Sequence, residues 1–217
     1  MDNGLIILDF DGTLCDTRQT IVKTLQMTMD KLCLPVADEY ACAATIGLPL
    51  NESFKTLFPS LTDAQASGCA QTYRDIFEEN KKQFAPKVFP HVAETLKELS
   101  KRGLTLSIAS SRSNHSLLDF VKAFGFDKVI SLILGADDVT KAKPDPEPVL
   151  LTLRKLGFSA SNALVVGDMP FDILMGGRAG SKTCGVTYGN ASREELQDSG
   201  ADYIIDDFAN LLDLNWL

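Results

Sequence analysis

Short apolar runs alternate with segments of helical periodicity through most of this chain. Residues 5–8 form a continuous apolar run, which is typical of a strand buried on both faces of a parallel sheet. The pattern resumes after residue 91 and ends in a terminal helix. It predicts strands at 104–109, 129–132, 163–166, 182–186 and 203–205, separated by helices at 92–99, 117–124, 146–156 and 169–179, with the last helix at 207–212. Such alternation predicts a Rossmann-like α/β fold with a mostly parallel sheet.

A stretch of about 70 residues interrupts this alternation directly after the first strand. Its apolar side chains recur at helical spacing over 21–32 and again over 69–84, and shorter helices are predicted at 38–44 and 51–57. No convincing strand pattern occurs between residues 15 and 85. We therefore predict a core domain formed by 1–14 and 87–217, with an all-helical domain of residues 15–86 inserted into it.

Composition narrows the class of protein. The 217 residues are 45% hydrophobic and 23% charged, which is ordinary for a globular protein and excludes a disordered or fibrous chain. The net charge of −8 argues against a nucleic-acid or anionic-membrane binder. The five cysteines form no C-x-x-C pair, and no apolar stretch approaches the ~18 residues of a membrane span. We expect a cytoplasmic protein, either a monomer or a small homo-oligomer.

Polar side chains follow the predicted strands at the point where each strand ends. Asp9 and Asp11 follow the first strand, Ser110 the second, and Asp168 and Asp172 the strand at 163–166, with Lys143 in the segment before it. Ligands bind at the carboxyl ends of parallel strands, so these groups are expected to converge. Clustered carboxylates favour Mg²⁺, and a carboxylate can also attack phosphorus.

Four segments in this order resemble the motifs of the haloacid dehalogenase superfamily of aspartate-nucleophile phosphatases. They are Asp9-Phe10-Asp11-Gly12-Thr13-Leu14, Ser110 at a strand end, Lys143 before Pro144, and Gly167-Asp168-Met169-Pro170-Phe171-Asp172. The helical insertion is similar to the C1-type cap of this family. Finer similarities point to its phosphoglycolate phosphatase-like branch, notably Ile46-Gly47-Leu48-Pro49-Leu50 and Gly185-Val186-Thr187-Tyr188-Gly189.

The resemblance implies a role for each matching residue. Asp9 would be the nucleophile, and Asp11 would protonate the leaving group and then activate water. The metal ligands would be Asp9, the Asp11 backbone carbonyl and Asp168, with Asp172 supporting the metal shell. Phosphate would be bound by Ser110 and Lys143, with help from backbone N–H groups near Phe10 and Ser111, while Thr13 would brace the turn.

Several positions allow two interpretations. Asp172 could serve only as a helix cap, and Ser111 could bind phosphate or cap the next helix. Arg112 could face the substrate or lie in solvent, whereas Asn114 is expected to be the N-cap of its helix. Gly47 marks either a helix break or a lid that reaches the substrate. We expect His91 and His115 to be structural.

The implied function is Mg²⁺-dependent hydrolysis of a small phosphorylated metabolite through an aspartyl-phosphate, with phosphoglycolate as the expected substrate. Two enzymatic alternatives share the same motifs, namely a phosphomutase of the β-phosphoglucomutase type and a pyrophosphatase. A non-catalytic binding protein on a phosphatase-like fold is a third alternative. A dehalogenase is disfavoured, because halide displacement has no use for Asp11 or for Mg²⁺.

Overall fold

The computed structural model describes residues 4–80 and 86–217. The chain divides into two compact units, one formed by Met1–Cys15 and Val88–Leu217 and the other by Asp16–Lys87. These limits differ by one residue from the predicted ones. Short strands lie where the chain passes from one unit to the other, β2 (Cys15–Asp16) and β3 (Lys87–Val88), and they pair with each other.

The larger unit contains a parallel six-stranded sheet in its described part. The strands are β1 (Leu5–Leu8), β4 (Thr105–Ala109), β5 (Ile130–Leu134), β6 (Ala163–Gly167), β7 (Lys182–Val186) and β8 (Tyr203–Ile205). Their order across the sheet is β5-β4-β1-β6-β7-β8. The order reverses between β1 and β6, and such a switch point is where open α/β sheets bind ligands. The predicted α/β fold is therefore confirmed.

Helices cover both faces of this sheet. They are α5 (Val92–Lys101), α6 (Asn114–Ala123), α7 (Glu147–Leu156), α8 (Pro170–Arg178) and α9 (Arg193–Asp198), with short 3-10 turns at Phe126–Lys128, Ala136–Asp138, Ala160–Asn162 and Phe208–Asp213. Ile6 and Leu8 pack in the same core as α5 and α6, whereas Leu5 and Ile7 pack with α7 and α8. Because successive side chains of a strand face opposite sides, a strand covered on both sides is apolar throughout.

The described part of the smaller unit is helical between the two short strands. It contains α1 (Arg18–Lys31), α2 (Glu39–Ala43), α3 (Leu50–Leu57) and α4 (Asp63–Asn80). α4 packs against α1 and α3, and α2 packs against α1. Met29, Phe54 and Ile76 are buried in this unit.

Several local predictions were wrong. The 15–85 segment begins with strand β2. This strand pairs with β3, which lies 72 positions further along the chain, so the pairing leaves no local pattern in the sequence. Helix α9 was missed, although Ser192 and Glu195 form the capping box that marks its start. The N-cap of α6 is Ser113, and Asn114 is already the first helical residue. The end of the predicted helical pattern, at Phe84, lies outside the described residues.

Candidate active site

Three buried carboxylates meet at the switch point of the sheet. Asp9 follows β1, Asp168 follows β6, and Asp172 lies in the first turn of α8. One oxygen from each lies within 4.8 Å of the others. The backbone N–H of Asp9 donates to the carbonyl of Val166 at 2.9 Å, which extends the β1–β6 pairing to Asp9.

Lys143 joins two of these carboxylates. Its Nζ lies 2.7 Å from Oδ1 of Asp9 and 2.7 Å from Oδ1 of Asp172. All three side chains are at most 4% exposed. Burial alone would lower the pKa of Lys143, but attraction to Asp172 and Asp9 outweighs it and raises that pKa. The ammonium group is therefore charged at neutral pH.

The loop that carries Lys143 is held by hydrogen bonds to residues other than the three buried carboxylates. Glu147, the first residue of α7, accepts bonds from the backbone N–H of Thr140 at 3.0 Å and of Lys141 at 2.8 Å. Arg178 of α8 donates to the carbonyl of Pro144 at 2.8 Å. These contacts attach the residues on either side of Lys143 to α7 and α8.

Asp168 is held in one orientation by three hydrogen bonds. Thr13 Oγ1 donates to Oδ1 at 3.1 Å, while the backbone N–H and Nδ2 of Asn190 both donate to Oδ2 at 2.8 Å. Gly12 has a φ of +82°, and a Cβ there would collide with the Asp168 carboxylate and the Asn190 side chain. That Thr13 braces the turn stays a prediction.

Asp172 caps a helix and also contacts Lys143, so it is not a helix cap alone. Its Oδ2 accepts from the backbone N–H of Met169 at 3.1 Å and so caps α8, while its Oδ1 faces Lys143. A Cβ at Gly167 would overlap the Asp172 side chain, so only glycine allows this close approach.

Asp11 has a different partner. Its carboxylate accepts a bidentate pair of bonds from Arg112, with Nε 3.1 Å from Oδ2 and a terminal nitrogen on Oδ1. The side chains are 12% and 9% exposed, so Arg112 is not the solvated loop residue that was one of its two interpretations. Asp9 and Asp11 are thus only two positions apart in the sequence but paired with separate cations.

Ser110 is buried at the end of β4, where its Oγ accepts the backbone N–H of Arg112 at 3.2 Å. Ser111 lies in the same turn and is not the cap of α6. Gly47 belongs to the smaller unit, between α2 and α3, and has a φ of +93°. Of the two histidines, His91 pairs with Asp207 at 2.7 Å, and the exposed His115 lies 3.9 Å from Asp119.

The three buried carboxylates repel one another, and their burial strengthens this repulsion. Burial, with a contribution from Asp172, raises the pKa of Asp168 to about 7. The pKa of Asp9 is also raised, by burial first and by Asp172 and Asp168, against the opposing effect of Lys143. A cation among these oxygens would relieve this repulsion. Oxygen donors in a small set suit a hard divalent cation, so the residues fit a metal site.

Asn190 is the functional candidate that the sequence analysis missed. It follows β7 at the carboxyl edge of the sheet, where the same strand-end rule would have found it. Tyr188, in the same segment, donates from its hydroxyl to the carbonyl of Thr13 at 2.9 Å. The β7 segment therefore supports both sides of Asp168.

Comparison with known proteins agrees with this geometry. A family profile described as haloacid dehalogenase-like hydrolase matches residues 6–186, which include all four motifs. The chain belongs to this family. A relative named "Probable phosphatase IndB", from Dickeya dadantii (strain 3937), is 36% identical over 210 residues, covering 96% of this chain and 91% of that protein. This haloacid dehalogenase-like hydrolase is a phosphatase.

Other matches cover the chain just as fully. A protein named "Pyrophosphatase PpaX", from Oceanobacillus iheyensis, is 33% identical and spans 95% of this chain and 94% of its own length. A crystal structure of a "predicted phosphoglycolate phosphatase" from Haemophilus somnus 129pt superposes with a TM-score of 0.85 at 27% identity and covers 98% of both chains. Within the described residues, no helix is both long and apolar enough to cross a membrane.

Proposed function

We propose that this phosphatase hydrolyses a phosphate ester of a small metabolite with Mg²⁺ as cofactor and Asp9 as nucleophile, and that phosphoglycolate is the first substrate to test. The observation that carries the proposal is the buried Asp9 carboxylate, held by Lys143 inside a group of three carboxylates. A metal held by Asp9, Asp168 and the Asp11 carbonyl, with Asp172 behind them, would supply the positive charge that lets a carboxylate approach a phosphate.

In the first half of the reaction, an Asp9 oxygen bonds to phosphorus and the bond from phosphorus to the leaving oxygen breaks. Asp11 gives its proton to that leaving oxygen. Ser110 and Lys143, with the backbone N–H groups near Phe10 and Ser111, hold the phosphate oxygens and offset their charge.

In the second half, Asp11 takes a proton from water while the water oxygen bonds to phosphorus. The bond between phosphorus and Asp9 breaks, which releases inorganic phosphate and restores the Asp9 carboxylate. The acid of the first half thus becomes the base of the second half. That the Gly47 segment and the helical insertion enclose the substrate stays a prediction.

A second candidate substrate is inorganic pyrophosphate. It is favoured by the relative named as a pyrophosphatase, which is 33% identical along nearly the whole chain. Both candidates transfer a phosphoryl group to Asp9 and differ in the leaving group, which is an alcohol in one case and phosphate in the other.

The test is phosphate release from a panel that contains phosphoglycolate, sugar phosphates and pyrophosphate, with Mg²⁺ or with a chelator. Asp9→Asn keeps the shape of the side chain but removes the nucleophilic oxygen, and Lys141→Met is the control for an exposed residue of the neighbouring loop. We expect release that requires both Mg²⁺ and Asp9. Release by Asp9→Asn at the wild-type rate contradicts the proposal. Turnover only with a bisphosphate activator identifies a mutase instead.

A further inference from the structure

The guanidinium of Arg112 forms a two-pronged fork, which donates hydrogen bonds to both carboxylate oxygens of Asp11. The two side chains are nearly buried, at 9% and 12% exposure, and lie on different segments, the β4–α6 connection and the turn after β1. A bidentate guanidinium–carboxylate pair fixes orientation as well as distance, which a lysine ammonium cannot do.

Arg112 is itself fixed by groups other than Asp11. A terminal nitrogen donates to Ser116 Oγ at 3.0 Å, and the guanidinium carbon lies 5.8 Å from the ring centre of Phe10 and 5.2 Å from that of Phe120. The two rings stack on each other at 6.0 Å. Arg112 therefore has partners other than the Asp11 carboxylate that hold it in this place.

We propose that Arg112 is a positioning residue that holds Asp11 as the base for the second half of the reaction. This inference rests on the proposed function. A carboxylate has about four acceptor positions, so Asp11 can take both bonds from Arg112 and still accept a proton from water. The water oxygen then bonds to phosphorus, the bond from phosphorus to Asp9 breaks, and its electron pair returns to the Asp9 carboxylate.

The two halves of the reaction place different demands on Asp11. In the second half it must accept a proton in a defined direction, which is the arrangement that the fork maintains. In the first half it must donate one, and an aryl ester with a stable phenolate leaving group does not need that proton. With p-nitrophenyl phosphate, loss of the fork is therefore expected to slow the second half only.

The experiment is rapid mixing of p-nitrophenyl phosphate and Mg²⁺ with the wild type, Arg112→Met and Arg112→Lys. For both variants we expect a burst of p-nitrophenolate near one equivalent per site, formed at a rate close to that of the wild type. Steady-state turnover should fall about 10- to 100-fold, the scale of a misplaced catalytic group. Intact-protein mass after acid quench should show the added phosphoryl group, and Asp9→Asn should show neither burst nor adduct.

Two further variants test whether the expected effects arise from misfolding. Ser116→Ala removes one brace of Arg112 without touching Asp11 and should give the same pattern more weakly. Arg154→Met removes an exposed arginine of α7 and should behave as the wild type.

The outcomes separate the two proposals. If burst and steady state fall together, if turnover rises, or if Arg112→Lys behaves as the wild type, the positioning role is wrong although the phosphatase mechanism stands. If the wild type forms neither p-nitrophenolate nor a phosphoryl adduct, the proposed function fails, and the role of Arg112 fails with it.

Discussion

Asn190 donates two hydrogen bonds to a single oxygen of Asp168, one from its backbone N–H and one from Nδ2, both at 2.8 Å. The opposite oxygen accepts from Thr13 at 3.1 Å. A carboxylate restrained on both oxygens keeps a fixed direction, which is what a metal ligand requires. We therefore expect Asn190 to act on the proposed metal through Asp168.

Asn190→Ala should weaken Mg²⁺ binding. The substitution removes the Nδ2 bond but keeps the backbone bond, and loss of such a supporting contact typically costs about 10- to 100-fold in metal affinity. Mg²⁺ titration by calorimetry measures the effect without reference to activity. Asn162→Ala, at an exposed position before β6, is the matched control. Equal Mg²⁺ affinity in both variants would contradict the role assigned to Asn190.

Lys143→Met should disable the site and destabilise the protein. Methionine has a similar length but no charge, so Asp9 and Asp172 would lose a shared cation 2.7 Å from each. Removing one partner of a buried ion pair costs about 3–5 kcal/mol. Urea unfolding in the absence of metal measures this loss, and phosphate release should fall below detection.

Lys141→Met provides the comparison for that experiment. Lys141 stands two residues earlier in the same loop, but its side chain is 71% exposed and its nitrogen lies 3.8 Å from Asp145. Exposed pairs of this kind contribute about 0–1 kcal/mol. A loss of stability in Lys141→Met as large as that in Lys143→Met would mean that the loop itself, and not the buried charge, is responsible.

Much of this site follows from one rule applied to the sequence. The carboxyl ends of parallel strands meet at one edge, and this places Asp9, Ser110 and Asp168 together before any coordinates are known. The sequence motifs also identified Lys143 and Asp172. Their mutual contact depends on how the loop before α7 folds, which no local pattern specifies.

The pairing of Asp11 with Arg112 could not be predicted in the same way. The two residues are 101 positions apart, and the contact depends on the stacking of Phe10 and Phe120 around the guanidinium. Packing of this kind is set by the whole core and not by local periodicity. Asn190 differs, because the strand-end rule reaches it once β7 is recognised.

The stability of the metal-free protein should fall as the pH rises from about 4 to about 7. The pKa of Asp168 is raised from 3.8 to about 7 in the folded state, so between these values the folded protein binds more protons than the unfolded chain. Stability then decreases with pH, at a cost of about 1.4 kcal/mol for each unit by which the pKa is raised. Urea unfolding at pH 4.5, 5.5, 6.5 and 7.5 (about one-unit steps across this window) in a chelator measures the trend.

Two controls test whether this pH dependence arises from the cluster of buried carboxylates. Asp168→Asn removes the titrating group and should flatten the curve. Saturating Mg²⁺ binds the deprotonated form and should restore stability above pH 6 or so, since a ligand of the folded state stabilises it. A wild-type curve that rises between pH 4.5 and 7.5, or one unchanged in Asp168→Asn, would contradict the assignment.

Gly12→Ala should reduce stability and Mg²⁺ affinity by more than the strain of its backbone conformation alone explains. Gly12 has a φ of +82°, and a Cβ there would meet the Asp168 carboxylate and the Asn190 amide. Gly200→Ala is the matched control, because its φ is +84° and nothing lies within 4 Å of the added Cβ. Both variants incur the left-handed strain of about 1–2 kcal/mol, but only Gly12→Ala also displaces Asp168. We expect Gly200→Ala to lose stability yet bind Mg²⁺ as the wild type does, and Gly12→Ala to lose more stability and to bind Mg²⁺ at least about 10-fold more weakly. Equal unfolding free energies and equal Mg²⁺ affinities in the two variants would show that the close approach of Gly12 to Asp168 does not matter for the metal site.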